Sequence, residues 1–134
     1  MVDALRRACR FVTPCGLIVD IHPTAKSARL EVGLIVAGDL DAGDARIRHQ
    51  AASAAVTAAV REGILTVEHS TQFDFYTYGD SPEELAEYVE ENWRDARIPK
   101  DTLVRAREAL DVLTDLRPRV LERVGITVLR PAKS

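Results

Sequence analysis

An α/β fold is predicted by three features of the 134-residue sequence. The segment Gly16, Leu17, Ile18, Val19, Asp20, Ile21, His22, Pro23 reads as a strand buried on both faces, because its apolar run is almost continuous, and it closes in a polar turn. Segments 67–76 and 124–128 alternate apolar and polar residues, the period of a strand with one covered face. Apolar residues recur at helical spacing in 52–60, 85–93 and 103–113.

Each element has a local cause. Asp3 is placed to cap a first helix whose apolar face is Leu5, Ala8, Cys9 and Val12, and Pro14 with Gly16 ends it. After the strand, 24–28 is small and polar and leaves the sheet; Leu30, Val32, Leu34 and Val36 then alternate as a strand or hairpin arm. This stretch, about 28–37, is expected to be an excursion outside the main sheet. Gly38 to Gly43 is a turn that delivers Asp44 as the cap of a long helix. That helix carries Ala52, Ala55, Val56, Ala59 and Val60 on one face and stops at Gly63. The strand that follows places Phe73 and Phe75 on its apolar side, where they are expected to complete the core.

Ser81, Pro82 and Glu84 form the most specific local signal, a capping box with proline at the first helical position. Leu85, Tyr88, Val89 and Trp93 give that helix its buried face. Pro99 breaks the pattern, Asp101 is placed to cap the next helix, and Leu103, Ala106, Leu110 and Leu113 line it. Val124, Ile126 and Val128 make the last strand, and the two closing strands are expected to pair antiparallel.

Composition excludes several classes of function. With 46% hydrophobic and 29% charged residues the chain is of ordinary globular type, long enough for one domain, 1–134. No apolar stretch nears the roughly 20 residues of a membrane helix, and no apolar segment of signal type follows Arg10, so a cytoplasmic location is expected. A net charge of −3 gives no basic excess for nucleic acid. Cys9 and Cys15 are six residues apart without a ligand pattern, no histidines have metal spacing, and no serine lies in a nucleophile elbow. The acidic run Glu83, Glu84, Glu87, Glu90, Glu91 reads as a solvated helix face beginning where negative charge is favourable.

The order helix, strand, excursion, helix, long strand, helix pair, strand resembles the C-terminal half of a class I S-adenosylmethionine-dependent methyltransferase. The pieces that carry the resemblance span nearly the whole chain. They are the turn Pro14, Cys15, Gly16, the strand Leu17 to Ile21, and the helix ending at Glu62 and Gly63. The strand Gln72 to Tyr78, the helix opened by Ser81 and Pro82, and the strand Val124 to Leu129 complete them. Cys15 departs from the family's usual Pro-Gly-Gly turn. The resemblance implies an incomplete Rossmann-like sheet and an acceptor-side half that binds no cofactor by itself: the glycine-rich turn and the acidic residue that hold S-adenosylmethionine belong to the absent N-terminal half. Gly33, Gly38 and Gly43 fit no nucleoside loop, and Asp39, Asp41 and Asp44 would repel a phosphate there.

Asp20, His22 and Thr24 end the first strand, where open α/β sheets place ligands, so they are the candidate substrate-binding residues. The alternative is that Asp20 bonds neighbouring backbone and His22 with Pro23 shapes the exit turn. His69 is expected to be a packed or edge residue, and His49 to face solvent. Two functions follow: a methyltransferase half that is inactive alone, or a non-enzymatic, self-associating domain derived from a truncated methyltransferase. In either case the strand Leu17 to Ile21 would expose an edge and an apolar face, covered by a second copy or by a complementary N-terminal half.

Overall fold

A computed structural model describes residues 2–13 and 15–132, with backbone only for Val2 and Asp3. It is α/β, with four helices and a five-stranded antiparallel sheet among the described residues. In chain order the elements are α1 (Val2–Phe11), β1 (Ile18–Pro23), β2 (Arg29–Val32), β3 (Ile35–Asp39), α2 (Ala45–Arg61), β4 (Leu65–Tyr78), α3 (Pro82–Asn92), α4 (Lys100–Val112) and β5 (Pro118–Pro131). The chain forms two compact units, and β4 and β5 contribute residues to both.

The first unit comprises Met1–Ala25, Ile47–Phe73 and Val124–Ser134. Here β1 pairs antiparallel with β5, Ile18 facing Leu129, Asp20 facing Thr127 and His22 facing Gly125. The Ala132 N–H donates to the Ile64 carbonyl at 2.9 Å, so the start of β4 meets the end of β5. Its small core is Ala59, Leu65 and Leu129, with Leu5, Cys9, Ile18 and Val56 packed around it. Ala52, Ala55 and Ala59 are buried, which is why α2 uses side chains too small to hold it away from its neighbours. The helix stops where Gly63 takes φ +75° and the Ile64 N–H reaches back to the Ala59 carbonyl at 3.0 Å, a Schellman end that favours glycine.

The second unit comprises Lys26–Arg46 and Asp74–Arg123. β2 and β3 are a hairpin turning at Gly33, and β2 also pairs with β5, Leu30 facing Val120. Leu30, Val32, Leu85, Val89, Ala106 and Val120 are the centre of its core. The Ser81 hydroxyl accepts from the Glu84 N–H at 3.1 Å and Pro82 opens α3, while the Glu84 carboxylate reaches back to the Asp80 N–H. Glu31 is buried between Arg29, at 2.7 Å, and Arg119, at 3.1 Å, so its charge is compensated twice. Arg119 lies over the Tyr76 ring at 4.3 Å.

The structure corrects five expectations. β1 begins at Ile18 and has one open face: Val19 and Ile21 are 54% and 60% exposed, and Leu17 just before the strand is 47% exposed. An apolar run reads the same whether its second face is covered or only lacks a cover. The 28–37 segment is not an excursion, because β2 bonds to β5 within the sheet. Phe73 and Phe75 are exposed, and Leu65 alone is buried along β4. Asp3 lies inside α1, and Pro14 falls outside the described residues. Asp101 sits in the first turn of α4, where its charge suits the helix dipole, and Pro99 occupies the cap position.

Core and cap should separate in urea unfolding. Leu30→Ala is expected to cost about 2–5 kcal/mol, because it empties a fully buried site, and Ser81→Ala about 1 kcal/mol. Equal losses would contradict this division.

Candidate functional site

Residues two apart on a strand share a face, so β1 directs Ile18, Asp20 and His22 to the same side. Ile18 joins the small core there, alongside Val56 of α2. The His22 ring is held at both nitrogens. Asp20 Oδ2 lies 2.7 Å from Nδ1, and Ser53 Oγ, on α2, lies 3.0 Å from Nε2. The Asp20 and His22 side chains are each about one-fifth exposed.

This geometry dictates a protonation pattern. An ionised carboxylate only accepts hydrogen bonds, so Nδ1 carries the ring proton and Asp20 takes it. In the neutral ring Nε2 then has a bare lone pair and accepts from the Ser53 hydroxyl. Ser53, His22 and Asp20 thus form a continuous hydroxyl, imidazole and carboxylate relay.

The relay opens on a cavity of about 310 Å³. Thr24, Ser53, Thr57, Ser70, Thr71, Gln72 and Thr127 line it together with Val56 and Val67. His22 is the one titratable side chain among the described residues that line it. Such a wall suits an uncharged, hydrogen-bonding ligand. On the same helix, His49 is half-buried and its pKa lies below the ordinary 6.5. Burial is the largest cause, followed by the charges of Arg48 and His22.

The three residues expected from the sequence do converge: Asp20 bonds His22, and Thr24 lines the same cavity as His22. Asp20 therefore spends its side chain on the imidazole. His69 is exposed on β4, and His49 is half-buried where a solvent-facing residue was expected. Sequence reasoning missed Ser53, because it sought a serine at a strand-to-helix elbow and this one lies mid-helix. A signal was present: His49, Ser53 and Thr57 recur every fourth residue, a polar stripe on an alanine-rich helix.

Gly33 and Gly38 lie close against the chain's own side chains. A Cβ at Gly33 would lie 2.7 Å from Leu116 Cδ1, and one at Gly38 would lie 2.6 Å from Thr102 Oγ1. At these two positions the missing side chains accommodate the chain's own packing. Among the described residues there is no cluster of three or more His, Cys, Asp or Glu for a metal, and no helix long and apolar enough to cross a membrane. Compared with known proteins, the chain matches no family model, no curated protein and no solved structure.

His49 makes stability depend on pH. Its folded pKa is depressed, so its contribution is fully present above 6.5 and is lost as pH falls through the folded value. Between pH about 7.5 and about 5.5 the urea midpoint of the wild type is therefore expected to fall more than that of His49→Gln. Parallel declines would show that His49 does not carry the effect.

Proposed function

We propose that this chain is methyltransferase-like, the acceptor-side half of an S-adenosylmethionine-dependent enzyme, and is not a methyltransferase alone. The carrying observation is the Asp20 and His22 pair at the end of β1, open to a cavity lined mostly by Ser and Thr residues. In this role His22 Nε2 takes the proton from an acceptor hydroxyl or amine as that atom becomes nucleophilic. Asp20 holds the tautomer and stabilises the imidazolium. The Ser53 oxygen, 3.0 Å from Nε2, marks a position from which a proton can be taken.

Two features of the fold support the reading. The closing strands β4 and β5 pair antiparallel, and β5 runs between β1 and β4 in the first unit. The exposed Leu17, Val19 and Ile21 form an apolar face beside the open edge of β1, as expected of a strand with a missing neighbour. The cofactor site belongs to the complementary half. The cytoplasm is the proposed setting, and the free thiols Cys9 and Cys15 fit a reducing compartment.

The same apolar face favours a second reading, a self-associating domain without chemistry, in which a second copy covers β1. Light scattering tests this: a homodimer is expected, and Val19→Lys with Ile21→Lys should return a monomer. A monomeric wild type would remove it.

Calorimetric titration with S-adenosylmethionine tests the first reading. The isolated chain is expected to give no binding heat, and a complementary glycine-rich half should restore both binding and methyl transfer. In that assembly His22→Ala should lower transfer by about 10²–10⁴-fold. Micromolar binding by the isolated chain would overturn the proposed division of the enzyme.

A further inference from the structure

We propose that Ser53 is an activated nucleophile, driven by His22 and Asp20, and that the chain alone transfers acyl groups from small uncharged esters through Ser53 to water. This activity requires neither a cofactor nor a partner, so it stands apart from the methyltransferase reading.

The contacts have the order that nucleophilic catalysis needs. A hydroxyl lies 3.0 Å from an imidazole nitrogen, and a carboxylate 2.7 Å from the other nitrogen orients the ring. A hydroxyl in a helix can bond the carbonyl four residues back, as the Thr57 hydroxyl does to the Ser53 carbonyl at 3.1 Å. Ser53 turns its hydroxyl to His22 instead. It is exposed, so a substrate carbonyl can reach it, while Asp20 and His22 are sheltered behind it.

The cavity indicates the substrate class. About 310 Å³ is at the lower end of small-ligand pockets, and it is lined mostly by uncharged Ser and Thr residues with Val56 and Val67, a surface matched to a small uncharged ester. No carboxylate, ammonium or guanidinium lies among the lining residues to hold an ionic substrate.

In the first step Ser53 Oγ bonds to the ester carbonyl carbon as its proton passes to His22 Nε2. The carbon–oxygen bond to the alcohol then breaks, and His22 returns the proton to that alcohol. In the second step His22 takes a proton from water, and the water oxygen bonds to the acyl carbon. The bond to Ser53 breaks, and Ser53 regains its proton. Asp20 remains a carboxylate throughout, and the net reaction is ester plus water to acid plus alcohol.

One deficit sets the expected rate. The Ser53 N–H is committed to the ladder of α2, so the oxyanion receives no backbone donor from the nucleophile. A single missing oxyanion donor costs about 10²–10³-fold in turnover. Stoichiometric modification is therefore a more sensitive readout than steady-state hydrolysis.

The test uses the full chain and a biotinylated alkyl fluorophosphonate. Ser53 Oγ forms a bond to phosphorus, fluoride leaves, and the proton goes to His22. Peptide mass spectrometry is expected to find one adduct, on Ser53, absent from Ser53→Ala and from the urea-unfolded chain. Labelling should slow more than about tenfold in both His22→Gln and Asp20→Asn, with folding of each verified by circular dichroism. p-Nitrophenyl acetate should give a burst of about one nitrophenolate per chain that vanishes in Ser53→Ala. No adduct on Ser53 would overturn the proposal, as would equal labelling of the folded His22→Gln and Asp20→Asn variants.

Discussion

The two-residue period of β1 is the constraint on which the site and the open surface both depend. On one face it carries Ile18, Asp20 and His22, and on the other Val19 and Ile21, with the exposed Leu17 immediately before it. A slip of one residue would exchange the faces, turning the relay away from α2 and driving Val19 and Ile21 toward it. The register is pinned by Ile18 opposite Leu129, both in the core of this unit, and the pairing of Asp20 with Thr127 follows from it. Full burial of an aliphatic side chain of this kind is worth about 1.5–3 kcal/mol, so the outer face has a substantial drive toward a cover.

The same alternation explains why the polar residues are chemically useful. Glu31 and Asp20 are both shielded carboxylates with strong partners, yet they do different work. Glu31 lies between Arg29 and Arg119, and its charge is absorbed by permanently cationic groups. Asp20 instead faces an imidazole, which can gain and lose a proton while the carboxylate stays ionised. Nearby on α2, burial and the charge of Arg48 hold His49 toward its neutral form.

Local structure was legible in the sequence wherever a few adjacent residues decide it. Ser81, Pro82 and Glu84 start α3, Gly63 ends α2, and the order of helices and long strands follows from periodicity. The meeting of Asp20, His22 and Thr24 was equally legible, because they lie within five residues at a strand end. Burial and partnership were not. The apolar run of β1 and the aromatics of β4 have the pattern of covered strands, but coverage depends on which distant element packs there. The pairing of β2 with β5 and the approach of Ser53 to His22 join segments far apart in sequence, and no local pattern encodes either.

The relay rests on one proton position, and nitrogen-15 NMR of the His22 ring reads it directly. At pH about 8, where an ordinary imidazole is neutral, long-range proton–nitrogen correlations are expected to show hydrogen on Nδ1 and a bare Nε2. The Nδ1 proton should be shifted downfield by its bond to Asp20, and the shift should disappear in Asp20→Asn. A neutral His22 carrying its hydrogen on Nε2 would contradict the account, because the ring would then donate to Ser53 and have no lone pair with which to activate it.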